Sequence, residues 1–385
     1  MSEPMDDPRG KILLVGGEGH PSGVPSHICQ LAAALSDIGQ VSVASEADKG
    51  GYSTLAAAGA THHVVPGLKS GLWPHRLWIG SRGLMRCVKS RGWRVVWLHA
   101  RLPGLIGRLA LALRIWRPVP GTHVVQTYHG LPFGKGHRAG FSKLSRAIEK
   151  MLLSACPPLD LIFLTPPQAD RMRDAMGARR MARHRVHILG NGSNLGRLPK
   201  TPPHKPGRHL IMTGRSGYQK NYPLAVRVFA HLPDDCHLTL CGSGTERADV
   251  QKRLRRLAGP AAARIQFKGP VRDVRPLLMG ADAYMLTSRY EGLPIGALEA
   301  FEVGLPLILS QFETSGDFLQ SHPLALRLAL TRSSLKQDAG EIDRLLATFC
   351  ADREAYVTRI RALWQAQWSG HVFERQARAL VTGWI

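Results

Sequence analysis

The sequence predicts an α/β protein of two domains, each built on a parallel sheet with helices on both faces. Three observations carry that expectation. Short apolar strands alternate with helical patterns along most of the chain, and several of the strands run into glycine-rich turns. The chain is 385 residues long, more than one hydrophobic core usually organises. A stiff, polar, proline-bearing stretch, KTPPHKPGRH with Pro202, Pro203 and Pro206, lies near the middle as a hinge candidate.

In the first half, GKILLVGGEGHPSGVPSHICQLAAALSDIGQVSVAS reads as a buried strand, a glycine-rich loop, a helix from about Val24 and a second strand. WRVVWLHARLPGLIGRLALAL gives a strand ending at His99 and then a helix. That helix is the most apolar in the chain, but Arg108 and Arg114 interrupt its pattern and it is too short to span a bilayer. THVVQTYHGLPFGKG is a strand that ends in His129-Gly130, and GHRAGFSKLSRAIEKMLLSA is a basic amphipathic helix. LDLIFLTPPQADRMRDAM reads as strand, turn and helix. HRVHILGNGSNLGRL supplies a last strand before the Asn191-Gly192 turn.

The second half repeats the rhythm. HLIMTGRSGYQKNYPLAVRVFAHL runs from a strand through a glycine-rich turn into a helix, and HLTLCGSG is a strand and turn. ADVQKRLRRLA is a helix, ARIQFKGPV a strand, VRPLLMGA a short helix and ADAYMLTS a strand. Pro294 is placed to open the next helix, since its missing N–H is not needed in the first turn. The closing stretch, ALWQAQWSGHVFERQARALVTGWI, reads as helical. Domain boundaries are expected at 1–198, 207–365 and, for a terminal helix, 366–385. Gly17-Glu18-Gly19 and Gly242-Ser243-Gly244 each lack the third glycine of a dinucleotide fingerprint, Ser22 and Arg247 standing there instead, so a dehydrogenase is poorly supported.

The most informative segment is SRYEGLPIGALEAFEVGLP, Ser288 to Pro306, which carries Glu291 and Glu299 eight positions apart around a strand-to-helix turn. Eight helical residues would separate the carboxylates by roughly 12 Å, with unpaired helix N-terminal amides beside them. A nucleotide-sugar has that layout: hexose hydroxyls, a diphosphate, then ribose hydroxyls. Carboxylates accept from hydroxyls, and a helix N-terminus attracts phosphate. About 75 residues upstream, Arg215 and Lys220 flank the turn after a strand, where an arginine fork and a lysine point charge can pair with a diphosphate.

The EGLP turn, the following LEA and Gly304-Leu305-Pro306, together with Gly214-Arg215 and Lys220-Asn221, resemble the signature of the GT-B retaining glycosyltransferases of family 4, or group 1. The motifs span about residues 12 to 310 and are most specific from 210 to 306. The resemblance implies two Rossmann-like domains facing each other across a cleft, the first for the acceptor and the second for the donor, with the terminal helix crossing back to the first. It implies that Glu291 contacts the sugar and Glu299 the ribose, that Arg215 and Lys220 neutralise the departing diphosphate, and that Gly292, Leu293, Pro294 and Ile295 belong to the donor site. Gly23 stands where a family glycine approaches the donor phosphates. His129 of the His-Gly pair would face the sugar, giving His129, Glu291, Arg215 and Lys220 as the candidate catalytic set. His99 is a cleft candidate only, and His20, His27 and His137 are left unassigned. The pattern thins from Gln311 to Leu335, where Asp317 stands in place of an expected glutamate.

Charge supplies the other global signal. The formal net charge is +23, and residues 51–190 hold 22 Lys and Arg against 4 Asp and Glu. Such a surface is drawn to polyanions. Lys143, Arg146 and Lys150, with Phe141, Leu144, Ile148 and Leu152 as apolar partners, read as a membrane-contact helix for anionic lipid. No nucleic-acid module is recognisable, and no specific nucleic-acid partner is expected. The six cysteines show no metal-ligand spacing and fit reduced thiols. The acidic MSEPMDDPRG terminus is no secretory signal. These features predict a cytoplasmic enzyme at the inner face of the membrane. It would take a sugar from a nucleotide-diphosphate donor to a hydroxyl of a glycan or lipid-linked acceptor, with neither metal nor cofactor. The alternatives are a GT-B sugar epimerase and a non-catalytic glycan- or membrane-binding protein on the same fold.

Overall fold

A computed structural model describes residues 10–69, 73–90, 92–199, 207–331 and 333–385. The acidic terminus up to residue 9 and the hinge prolines Pro202, Pro203 and Pro206 lie outside the described residues.

The chain divides into two units. The described residues up to Phe133, with Ala139–Asn191 and Gly370–Ile385, form the first; Gly134–Arg138 and Gly192–Ser369 form the second. In the first unit the elements are β1 (Lys11–Val15), α1 (Gly23–Leu35), β2 (Gln40–Ser45), β3 (Thr61–Val64), α2 (Pro74–Lys89), β4 (Trp93–Leu98), α3 (Arg101–Ala112), β5 (His123–Tyr128), α4 (Ala139–Ala155), β6 (Asp160–Phe163), α5 (Pro166–Met176), α6 (Ala178–Met181) and β7 (Arg185–Ile188). All neighbouring strands pair in parallel, in the order β3-β2-β1-β4-β5-β6-β7. Successive residues of a strand face opposite sides, so each central strand feeds two cores. Leu13, Val15, Val96 and Leu98 pack into one core, with Leu102, Ile106, Leu153 and Phe163. Ile12, Leu14, Val95 and Trp97 pack into the other, with Ile28, Leu31 and Leu35 of α1.

The second unit carries β8 (Arg208–Thr213), α7 (Tyr222–Phe229), β9 (Cys236–Cys241), α8 (Ala248–Ala258), β10 (Ile265–Gly269), α9 (Arg275–Met279), β11 (Ala283–Leu286), α10 (Ile295–Val303), β12 (Leu307–Ser310), α11 (Ser315–Ser321), β13 (Ala325–Leu328), α12 (Leu335–Ala351) and α13 (Arg353–Gln367). Its parallel sheet runs β10-β9-β8-β11-β12-β13. The α/β expectation is met in both units. In each sheet the strand order reverses beside the first strand, at β1/β4 and β8/β11, which creates a crevice at the carboxyl ends of those strands.

Two features add to the sequence reading. The closing stretch is helical in two pieces: α13 stops at Gln367 and α14 (Gly370–Thr382) begins afresh. Ser193 N–H donates to the Trp368 carbonyl at 3.0 Å and Trp364 Nε1–H donates to Ser193 Oγ at 2.8 Å, so a distant segment takes groups at the end of α13. α14 belongs to the first unit, where Phe373, Ala377 and Val381 join the core beneath α1. Arg108, in turn, does not break the apolar face of α3. It is buried, and its guanidinium donates to both Glu149 oxygens at 2.6 and 2.9 Å and to the Tyr128 hydroxyl at 2.9 Å. Burial opposes the Glu149 charge, but Arg108 outweighs it and holds the carboxyl below its usual range.

Candidate active site

The second unit's crevice is built from the turns after β8 and β11. Gly214 follows β8 at φ +131°, and a Cβ there would meet Lys220 Cε at 2.5 Å, so glycine lets the lysine stem lie across the turn. Asn221, at φ 56°, precedes α7 and is buried, with its Oδ1 accepting from Arg289 at 2.9 Å. This geometry returns Lys220 toward the β11 turn. There Lys220 Nζ pairs with Glu291 Oε1 at 2.8 Å. Ser288 Oγ–H donates to the same oxygen at 2.7 Å, and Gln219 Nε2–H donates to the other at 3.0 Å. Glu291 is 7% exposed, and its oriented carboxylate meets a cation from a loop 71 residues upstream. Arg215 is exposed on the same β8 loop.

Glu291 precedes helix α10 rather than lying in it, and Pro294 is the extended N-cap, not the first helical residue. Gly292, Leu293 and Pro294 are buried, and Thr314 Oγ–H donates to the Gly292 carbonyl, anchoring the turn. Ile295 and Gly296 open the helix. A Cβ at Gly296 would meet Thr213 Oγ1 and Tyr284 OH, each at 2.5 Å, so the glycine seats α10 directly on β8 and β11. One turn on, burial and then the nearby Glu302 raise the Glu299 carboxyl to about 7. Glu302, which sequence reasoning passed over, accepts from Leu195 N–H at 2.6 Å.

In the first unit, Gly23 is exposed at the start of α1 behind the extended N-cap Ser22. His129 follows β5, and it does not stand alone. His99, just beyond β4, places Nδ1 3.4 Å from His129 Nε2, and the His27 ring of α1 lies 4.7 Å from His129 and 5.3 Å from His99, centre to centre. Burial lowers the pKa of all three, that of His27 to about 4, so each ring is neutral near pH 7. Sequence reading left His27 unassigned because a single helical histidine carries no pattern; its position at the β1/β4 reversal is the signal. His137, also unassigned, stacks on Tyr290 at 3.9 Å within the second unit, while Arg138 and Arg289 both lie over Tyr218.

On α4, Lys143, Arg146 and Lys150 are exposed together with Phe141, Leu144 and Met151; Leu152 instead is buried. Among the described residues no helix is long and apolar enough to cross a membrane. A surface groove of about 470 Å³ lies at the amino ends of β4 and β5, lined by Trp93, Arg114 and Thr122, away from the carboxyl-end loops.

Two parallel sheets of this topology match the GT-B class of glycosyltransferase folds. Residues 21–197 match the family described as Glycosyltransferase Family 4, and residues 198–327 match that described as Glycosyl transferases group 1. The two matches together span residues 21–327 and mark the chain as a glycosyltransferase. It is 26% identical over 337 residues to a glycogen synthase of Mycobacterium tuberculosis, covering 80% of this chain and 79% of that protein. It is 28% identical over 161 residues to the lipopolysaccharide core biosynthesis glycosyltransferase LpsE of Rhizobium meliloti, 40% of this chain and 44% of that one. The fold matches that of Alr3699/HepE of Anabaena, solved with UDP and glucose, at a TM-score of 0.74 and 14% identity over 97% of this chain and 100% of that one.

Proposed function

We propose that the enzyme moves a hexosyl group from a nucleotide-diphosphate sugar to a hydroxyl of a surface polysaccharide or lipid-linked glycan, with retention at the anomeric carbon. The observation that carries this is the Lys220–Glu291 pair, held by Ser288 and Gln219 where the second sheet reverses its strand order. The second unit holds the donor and the first serves the acceptor. Lys220 and Arg215 lie on one loop and take the diphosphate, and the open N-terminal turn of α10 offers backbone amides beside it, so the leaving group's charge needs no metal. Glu291, oriented by three partners, accepts from the hexose hydroxyls, and Glu299 accepts from the ribose. In the first unit His129, as a neutral imidazole, can hydrogen-bond a sugar hydroxyl.

In the reaction the bond from anomeric carbon to phosphate oxygen breaks and its electron pair stays on the diphosphate. Fixed positive charge from Arg215 and Lys220 stabilises that anion, a contribution often worth several kcal/mol. The acceptor oxygen bonds to the same face of the anomeric carbon, and its proton passes to the departing phosphate oxygen. Gly23, at an exposed helix start, admits close backbone approach to phosphate. The exposed cations and apolar side chains of α4 hold the enzyme at an anionic bilayer, where a lipid-linked acceptor resides.

A thermal-shift panel of UDP-, GDP- and ADP-sugars tests the donor assignment, since a ligand at 100 times its dissociation constant adds about 2.7 kcal/mol of stability. NMR of the product made from the best donor tests stereochemistry. No shift with any sugar nucleotide refutes the donor site, and an inverted product refutes retention.

A further inference from the structure

Resting on the reading that the enzyme works at an anionic bilayer, we infer that α2 and the loop after α3 form its lipid-inserting surface, centred on Trp73 and Trp78 and distinct from the α4 contact. Trp73 stands at the N-cap of α2 and is 69% exposed; Trp78, inside the helix, is 61% exposed. Every other tryptophan of the chain is buried or half-buried.

The two faces of α2 differ sharply. Leu77, Gly80, Leu84 and Val88 recur at three- and four-residue spacing and turn the helix onto the core shared with α3 and α4. A Cβ at Gly80 would meet the Gly67 carbonyl oxygen at 2.5 Å, so the helix sits tightly on the loop before it. The opposite face carries Trp78, Ile79, Arg82, Arg86 and Lys89, all exposed. Arg82 holds its guanidinium 4.7 Å from the centre of the Trp78 ring. No aspartate or glutamate occurs between Asp48 and Glu149, so no acid near in sequence neutralises this face. Tryptophan and isoleucine among unneutralised cations make the pattern of a helix lying in a membrane interface, its rings at headgroup level and its cations on lipid phosphates.

The surface continues past the helix. Lys89, in its last turn, lines the groove of about 470 Å³ together with Arg114, Arg117, Ile115 and Val119. Ile115 and Val119 are exposed, as is Leu113 beside them. Cations and branched aliphatic side chains around one groove suit a phosphate-bearing headgroup and its acyl chains. Nucleic acid would stack on the tryptophans but leave these aliphatic side chains in water, so the bilayer is the better occupant. α2 and α4 both pack against α3 and belong to one helix layer, so the same membrane serves both.

Tryptophan quenching tests this surface apart from α4, which carries no tryptophan. Full-length protein is titrated with vesicles of phosphatidylglycerol and phosphatidylcholine, the latter either plain or brominated on its acyl chains. Bromine is expected to quench the bound wild type. The double variant Trp73→Phe, Trp78→Phe keeps apolar rings and is expected to bind the same vesicles with most of that quenching gone. Trp73→Ser with Trp78→Ser, its folding checked by circular dichroism, is expected to bind about 10- to 100-fold more weakly. Glutamine at Lys143, Arg146 and Lys150 is expected to weaken binding at low salt yet leave the quenching of bound protein unchanged. Bound wild type that bromine does not quench overturns the role of α2 and spares that of α4. So does quenching undiminished in the phenylalanine variant, or serine-variant affinity equal to the wild type. Quenching of the wild type, with unaltered affinity in the glutamine variant, supports α2 and refutes α4 alone. Failure to bind anionic vesicles, with retention on duplex DNA, overturns both.

Discussion

Replacing Glu299 with glutamine isolates the proton of a desolvated carboxyl on α10. The carboxyl lies on α10, and burial, with Glu302 nearby, lifts it from 4.5 to about 7. An acid whose folded value stands above its unfolded one keeps its proton longer in the folded chain. Between pH 4.5 and 7 the native state therefore binds more protons than the unfolded state, and stability falls as pH rises. The shift corresponds to about 3 kcal/mol across that window. Below pH 4.5 both states are protonated and Glu299→Gln is expected to match the wild type closely. By pH 8 the variant, which never ionises, is expected to be the more stable by about 3 kcal/mol. Urea unfolding of both proteins at half-unit steps from pH 4 to 8 measures the difference directly. A ribose hydroxyl donating to Glu299 favours the carboxylate, so donor binding at pH 7 is expected to release protons in the wild type and not in the variant. Calorimetry in buffers of different ionisation enthalpy counts them. A wild-type-minus-variant stability that is flat with pH refutes the buried-proton assignment.

Lys220→Ala removes a charge-assisted contact and is expected to weaken nucleotide-sugar affinity about 10- to 100-fold in equilibrium titrations, whereas unchanged affinity counts against a diphosphate role. Arg108→Met leaves Glu149 buried without its cation and is expected to cost about 3–5 kcal/mol in urea unfolding. The double variant with Glu149→Leu recovers most of that loss, and equal destabilisation in both refutes a desolvated pair. Gly242→Ala sets a Cβ against the Gly214 carbonyl oxygen at φ +132°, so it is expected to lower the melting temperature and donor affinity together; Gly316→Ala, with open space around it and no left-handed φ, is expected to change neither. Replacing Lys143, Arg146 and Lys150 with glutamine is expected to reduce binding to anionic vesicles about a hundredfold at low salt, at about 1 kcal/mol per cation, and sedimentation that ignores both charge and salt contradicts membrane contact.

The parts of this protein legible in its sequence are those encoded by local pattern. Strand and helix periodicity marked both α/β units, and two short segments carrying Arg215, Lys220 and Glu291 marked the turns after β8 and β11 where Lys220 and Glu291 pair. Each depends on residues a few positions apart, where backbone geometry alone decides which way side chains turn. Other features depend on residues far apart in the chain. Arg108 reads as a flaw in an apolar helix until Glu149, 41 residues on, is brought against it. At the break between α13 and α14 the Trp368 carbonyl accepts from Ser193 N–H, and Glu302 accepts from Leu195 N–H, 107 residues away. His27, His99 and His129 are three unremarkable histidines in sequence, and they converge only because the parallel sheet reverses its strand order between β1 and β4. Burial, and with it the proton on Glu299, is likewise a property of packing: the low-dielectric surroundings that shift a carboxyl exist only once distant elements have closed around it.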